Sequence, residues 1–285
     1  MPIATTVYTQ DNIALNVRDY GGPTHGVTLL GLPGITRNGK DFDAFAVKLQ
    51  QSHRLLTIDF RGRGGSEWDP NYTNYHPATY VGDVLEVLTA LNLHRVTLIG
   101  TSLGGLVSMG LAVARPSMIN SIIINDIGPV INPTGMEKLV QLFSNRMSFT
   151  SFHEAAKAFQ NAWGHAYPDE GSAFWAQFAK NVCTKTKDGI IEPDYDPGIG
   201  RALLEGVGQP QTPPWSVWKA LNKIPTLLVR GALSEFLSAE TAEEMALRKT
   251  DLRTCVLENR GHTPTLAEPK AFESIKAFLE NNHPV

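Results

Sequence analysis

The sequence predicts an α/β protein, a mostly parallel sheet with helices on both faces, interrupted once by a long helical insertion. Three observations lead there. Short apolar runs bounded by turn residues alternate with helix-spaced apolar stretches through the first third of the 285-residue chain, the pattern of right-handed strand–helix–strand units. The alternation stops near residue 131 and resumes near residue 223. The pentapeptide Gly100-Thr101-Ser102-Leu103-Gly104 stands directly between a strand-like run and a helix-like run, the context of a tight turn that exposes a serine hydroxyl at a sheet edge.

Taken in order, residues 13–20 alternate Ile13, Leu15 and Val17 with polar side chains and read as a half-exposed strand. Residues 27–32 and 55–59 are short, mostly apolar runs and read as buried strands. Between them Phe42, Phe45, Ala46 and Leu49 fall at helical spacing, as do Val81, Val84, Leu85, Leu88 and Leu91 further on. The run 96–99 is the strand before the pentapeptide, 103–114 the helix after it, and 122–126 the next buried strand. Residues 131–222 then show helical clusters and no convincing buried strand: Leu139, Val140, Leu142 and Phe143; Phe152, Ala155, Ala156, Phe159 and Trp163; Phe174, Trp175 and Phe178. Residues 192–214 are rich in Pro and Gly. At about 90 residues this stretch is far too long for a bare loop, so it reads as an inserted helical subdomain. Strands return at 226–229 and 254–257, and a last helix carries Phe272, Ile275 and Leu279 after Pro269. The expected division is a core over 1–130 and 223–285, with a cap over 131–222.

Composition narrows the function. Hydrophobic residues are 42% and charged residues 19%, ordinary for a globular protein. A net charge of −3 with scattered Lys and Arg gives no electrostatic case for nucleic acid. No apolar run approaches the length of a membrane span, and the first eleven residues lack the charged start and apolar stretch of a secretory signal. Cys183 and Cys255 are far apart and form neither a disulfide framework nor a zinc motif, so reduced thiols and a cytoplasmic location are expected. No His-x-x-x-His or Cys-x-x-Cys spacing supports a metal. Oligomeric state is not readable.

The chemistry centres on Ser102. A serine hydroxyl is a poor nucleophile until a base takes its proton. Of eight histidines, His262 is best placed, in Gly261-His262-Thr263-Pro264 after the last strand and before the last helix, because strand C-terminal ends of a parallel sheet share one edge. The imidazole needs an acid to fix its tautomer. Glu235, just past the strand 226–229, is the first choice, completing the order Ser102, Glu235, His262. Asp126, at the end of the strand 122–126, is the alternative acid. Oxyanion donors are expected from the backbone N–H of Leu103, after the nucleophile, and of Ile35, in the loop Leu32-Pro33-Gly34-Ile35-Thr36. The glycine-rich segment from Asp59 to Ser66 lacks the Gly-x-x-x-x-Gly-Lys-Ser/Thr pattern of a phosphate loop and reads as a structural turn.

With these motifs in view, the chain resembles the α/β-hydrolase superfamily over essentially its full length. The matching segments are Leu32-Pro33-Gly34-Ile35, Asp59 to Ser66, Gly100 to Gly105, Arg230 to Glu235 and Gly261 to Pro264. It looks most like the capped bacterial branch of esterases, enol-lactonases and carbon–carbon bond hydrolases. The resemblance implies the α/β-hydrolase fold: an eight-stranded, mostly parallel sheet with a helical cap between the sixth and seventh strands. It also implies no cofactor. The chain departs from the usual pattern in having Pro33-Gly34 for His-Gly, and Glu235 where the family usually has Asp after the seventh strand.

The leading expectation is therefore a serine hydrolase of a moderately apolar ester or lactone, acting through an acyl-enzyme. The alternative is hydrolysis of a carbon–carbon bond in a 1,3-dicarbonyl or dienol compound; a cofactor-free perhydrolase and a non-catalytic ligand receptor are further readings. An epoxide hydrolase or dehalogenase would need a carboxylate where Ser102 stands. Trp163, Trp175, Trp215 and Trp218 lie in or near the expected cap and read mostly as its core. Arg146 and Arg201 read as solvated surface groups rather than partners of a substrate carboxylate.

Overall fold

The computed structural model of the chain describes residues 2–23, 26–206 and 213–282. It opens with a hairpin of β1 (Ile3–Tyr8) and β2 (Ala14–Asp19). β1 is an edge strand exposed along most of its length, so it lacks the apolar alternation that makes β2 legible in the sequence. β3 (Thr28–Leu32), α1 (Asp43–Leu49), β4 (Leu55–Ile58), α2 (Pro77–Ala90), β5 (Val96–Thr101), α3 (Leu103–Ala114) and β6 (Ile119–Asn125) follow in the alternation expected of them.

Between β6 and the next strand of the main sheet the chain is mostly helical. It contains α4 (Pro133–Ser144), α5 (Phe152–Trp163), α6 (Ser172–Val182), α7 (Gly198–Leu204) and α8 (Pro214–Lys219). A hairpin of β7 (Cys183–Lys185) and β8 (Ile191–Pro193) joins α6 to α7; three residues per strand are too few to show a period in the sequence. Within the Pro- and Gly-rich stretch, residues 207–212 lie outside the described residues. The main sheet resumes with β9 (Thr226–Gly231), followed by α9 (Ala239–Arg248), β10 (Arg253–Leu257) and α10 (Pro269–Asn282).

Among the described residues eight strands form one sheet in the order β1-β2-β4-β3-β5-β6-β9-β10, parallel from β4 onward. The central strands bury both faces, which is why they read as continuous apolar runs. One face packs against α2, α3 and α8, with Val84, Val87, Val107 and Trp218 in its core; the other packs against α1 and α10 through Phe45, Ile275 and Phe278. The helical segment has a core of its own, where Phe159, Trp175 and Phe178 meet at ring-centroid distances of 5.4 and 5.5 Å. Of the four tryptophans in or near the insertion, Trp175 lies in that core and Trp163 packs against it. Trp218 is buried in the main core with its indole N–H on the Met245 carbonyl at 3.2 Å, and Trp215 packs against the same core. Both Cys183 and Cys255 are buried free thiols. No helix among the described residues is long and apolar enough to cross a membrane.

The segment after β4 behaves as a structural turn. It gathers donors around the Asp59 carboxylate, which accepts from the N–H of its own Gly65 at 3.0 Å, from the Gly39 N–H at 2.6 Å and from Asn16 at 2.8 Å. Arg61 beside it is buried, with Asp69 at 2.6 Å, Asp83 at 2.8 Å and Asp11 at 2.7 Å. Burial alone would lower the guanidinium pKa; the three carboxylates outweigh it and raise it. Removing the cation would leave Asp69 and Asp83 buried and uncompensated. Arg61→Met is expected to lower the unfolding free energy by about 3–5 kcal/mol in urea titration, whereas Arg248→Met, whose partner Glu244 is an exposed neighbour on α9, should change it by less than about 1 kcal/mol.

Candidate functional site

The turn between β5 and α3 places Ser102 at φ 52° and ψ −115°, a left-handed conformation that a non-glycine residue adopts only when its surroundings require it. The requirement is spatial. A Cβ on Gly100 would fall 2.4 Å from the Gly104 carbonyl oxygen, and one on Gly104 would fall 2.0 Å from that of Leu32. Strand and helix therefore approach closely only with glycines there. The turn is fastened by the Ser102 N–H on the Asn125 carbonyl at 3.0 Å and by the Ser102 carbonyl, which accepts from Gly105 at 2.8 Å.

Register brings Asp126 alongside. Thr101 on β5 pairs with Asn125 on β6, so Asp126 leaves the sheet next to Ser102. Asp126 is 0% exposed. Its Oδ1 accepts from the Gly231 N–H at 2.9 Å and its Oδ2 lies 2.9 Å from His262 Nδ1. A carboxylate only accepts, so the proton of this bond sits on Nδ1. Nε2 is then free to accept from Ser102 Oγ–H, 2.9 Å away. The His262 loop comes within reach because Gly231 has no side chain: a Cβ there would fall 2.3 Å from the Arg260 carbonyl oxygen.

Of the two carboxylates weighed in the sequence, the structure brings Asp126, not Glu235, to the imidazole. β6 is the sheet neighbour of β5, whereas Glu235 stands four residues beyond the end of β9. A turn there, capped by Ser234 Oγ on the N–H groups of Phe236 and Leu237 at 3.3 and 3.2 Å, turns Glu235 toward the helical segment. Its Oε2 meets Lys138 Nζ of α4 at 2.5 Å, with His165 Nε2 at 3.7 Å. Burial pushes its carboxyl pKa up; the hydrogen bond and charge of Lys138 outweigh that and hold it below its usual value. An ion pair this exposed contributes about 0.2–1 kcal/mol.

Three neighbours of His262 carry little signal in the sequence. The Phe236 ring stacks on the imidazole at 4.0 Å and 20°. Asn125 donates to the Pro264 carbonyl at 2.9 Å, and the Tyr167 hydroxyl to the Thr263 carbonyl at 2.8 Å. All three act through contacts distant in sequence; the one local hint is the placement of Asn125 beside Asp126 at a strand end. The loop after β3 flanks Ser102 on its other side. Gly34 is close enough that a Cβ on it would rest 3.7 Å from Ser102 Cβ, and the Ile35 carbonyl accepts from Arg63 Nε at 2.8 Å.

Ser102, Leu103, Ile35 and His262 line one cavity of about 810 Å³ between the sheet edge and the helical segment. Its walls are largely apolar, including Leu106, Met109, Ile131, Leu142, Trp163 and Phe236. Arg146 and Arg201 are outside it, paired with Glu192 and Glu205 at 2.9 Å each.

The comparisons with known proteins agree with this architecture. A profile described as the Alpha/beta hydrolase family matches residues 29–275. The chain belongs to that family. This alpha/beta hydrolase is 30% identical over 259 residues to a 3-hydroxybutyrate-oligomer hydrolase from Cupriavidus necator, covering 88% of this chain and 87% of that one. A crystal structure of an alpha/beta hydrolase from Novosphingobium aromaticivorans superposes with a TM-score of 0.93 at 35% identity, covering 98% of both chains. A 2-(acetamidomethylene)succinate hydrolase from Mesorhizobium japonicum is 24% identical over 94% of this chain and 92% of its own length.

If Asp126 orients the imidazole, Asp126→Asn is expected to slow labelling of Ser102 by a fluorophosphonate by about 10⁴-fold. Glu235→Gln should cost at least about a hundredfold less than that. Labelling rates read by intact-protein mass spectrometry make the comparison; the reverse ranking would restore Glu235 as the acid.

Proposed function

We propose that this hydrolase is a serine esterase that cleaves carboxylic esters or lactones of small, moderately apolar acids through an acyl-enzyme. The observation that carries the reading is the unbroken chain from Ser102 Oγ to His262 Nε2 and from His262 Nδ1 to Asp126 Oδ2, each link 2.9 Å, with Ser102 and His262 lining an apolar cavity. The roles follow from chemistry. His262 takes the Ser102 proton as Oγ attacks the ester carbonyl. Asp126 holds the tautomer and stabilises the imidazolium. The N–H groups of Ile35 and Leu103 receive the oxyanion, each donor worth ~3–4 kcal/mol of barrier. His262 then protonates the leaving alkoxide, and the alcohol departs. A water attacks the acyl group, giving its proton to Nε2; collapse releases the acid and returns the proton to Ser102. The helical segment over residues 131–206 acts as a cap that closes the acyl-binding cavity.

The similarity to a 3-hydroxybutyrate-oligomer hydrolase supports esters of short hydroxy acids as the substrate class. A ligand receptor has no need of a nucleophile, a base and an acid in mutual hydrogen-bond reach, which favours the enzyme.

The test is a panel of a p-nitrophenyl ester, a short 3-hydroxybutyrate oligomer, a lactone and a 1,3-dicarbonyl compound, each run with Ser102→Ala. Esters are expected to turn over fastest, and the variant to lose about 10⁴–10⁶ in kcat. Retained ester turnover in Ser102→Ala, or turnover of the dicarbonyl alone, would overturn the reading.

A further inference from the structure

Glu235 takes no part in the chemistry above, and its surroundings give it another use. Residues 235 and 236 form a wall of the cavity beside the imidazole, since the Phe236 ring lies on His262. α4 seats itself on that wall. The Asn132 N–H donates to the Phe236 carbonyl at 3.0 Å, and Gly135 allows contact that a side chain would prevent: a Cβ there would fall 2.9 Å from the Glu235 carbonyl oxygen. About one turn further along α4, Lys138 reaches the Glu235 carboxylate, and His165 approaches the same oxygen. All three side chains line the cavity that holds Ser102 and are partly open, at 40% for Lys138, 36% for Glu235 and 53% for His165. The other cation in the lining, Arg37, has its Nε and Nη2 both committed to Asp41 at 2.7 Å. Lys138 spends one N–H on Glu235, which leaves two uncommitted among the described residues.

We propose that Lys138, held at the cavity wall by Glu235, binds a carboxylate carried by the substrate away from its scissile ester. The substrate class is then an ester that ends in a free acid, such as a short oligo-ester of a hydroxy acid. This rests on the reading of the cavity as an esterase site. Glu235 keeps the ammonium compensated while the cavity is empty. The pair is exposed enough to exchange partners at little cost. A substrate carboxylate that displaces water from an apolar cavity meets that ammonium at lower dielectric than bulk water offers. Glu235 thus competes with the ligand, and removing each member of the pair should have opposite effects.

The experiment measures competitive inhibition of p-nitrophenyl butyrate hydrolysis by the linear dimer of 3-hydroxybutyrate and by its terminal primary amide. The readout is the ratio of the amide Ki to the acid Ki, which a general loss of fold or cap closure leaves unmoved. The wild type is expected to prefer the acid by about tenfold. Lys138→Met should bring the ratio close to one, and Lys138→Arg should keep most of it. Glu235→Gln should raise it by about threefold. A ratio unmoved by Lys138→Met, or lowered by Glu235→Gln, overturns the subsite while leaving Ser102-dependent turnover in place. Absence of turnover in the wild type, or its persistence in Ser102→Ala, overturns the esterase reading and the subsite with it.

Discussion

A carboxylate closed off from solvent stands at the end of β6, and the geometry of the candidate site depends on how its charge is compensated. Leaving an ionised group buried without partners is costly. Asp126 is satisfied from two directions, by the Gly231 N–H at the end of β9 and by the imidazole of His262 after β10. The same side chain therefore locks three neighbouring strand ends together and aims the His262 imidazole at Ser102 Oγ. Stability and the geometry of the candidate site share one interaction here. The sheet order supplies the arrangement: β5, β6, β9 and β10 are consecutive neighbours, so Ser102, Asp126 and His262 emerge side by side from one edge.

Two of the five non-glycine residues with positive φ among the described residues lie at the same edge. Ser102 and Asp126 both have positive φ, 52° and 58°, each at a cost of order 1–3 kcal/mol. The packing around them holds both: glycines crowd the elbow, and the Asp126 N–H is tied to the Val229 carbonyl at 2.8 Å. Around this rim the helical segment reaches back to the core through the Gly261 N–H on the Ala166 carbonyl at 2.6 Å and through Tyr167 on Thr263. The loop carrying His262 is thus gripped from both sides, by the sheet through Asn125 and by the helical segment through Tyr167.

Much of this was legible in the sequence because it rests on local pattern. The buried strands read as apolar runs, the elbow as a glycine-spaced serine between strand and helix, and His262 by its place after the last strand. The exposed edge strand β1 and the three-residue strands β7 and β8 carry too little period to be seen. Chain order alone favours Glu235 as the acid. What places Asp126 at Nδ1 is the pairing of Thr101 with Asn125 and the absence of a side chain on Gly231, facts of register and close approach that no linear spacing records. The stacking of Phe236 on His262 and the pairing of Lys138 with Glu235 are likewise contacts between segments far apart in the chain. Trp215 and Trp218 fall near the insertion in sequence yet pack against the main core, because α8 returns the chain to α3 before β9 begins.

The tautomer of His262 tests the account most directly. Nitrogen-15 NMR of histidine-labelled protein, with the imidazole neutral, should place the proton on Nδ1 in the wild type and in Glu235→Gln, and move it to Nε2 in Asp126→Asn, where an amide donor can face Nδ1. A wild-type imidazole protonated at Nε2, or a tautomer that follows Glu235 rather than Asp126, would contradict it.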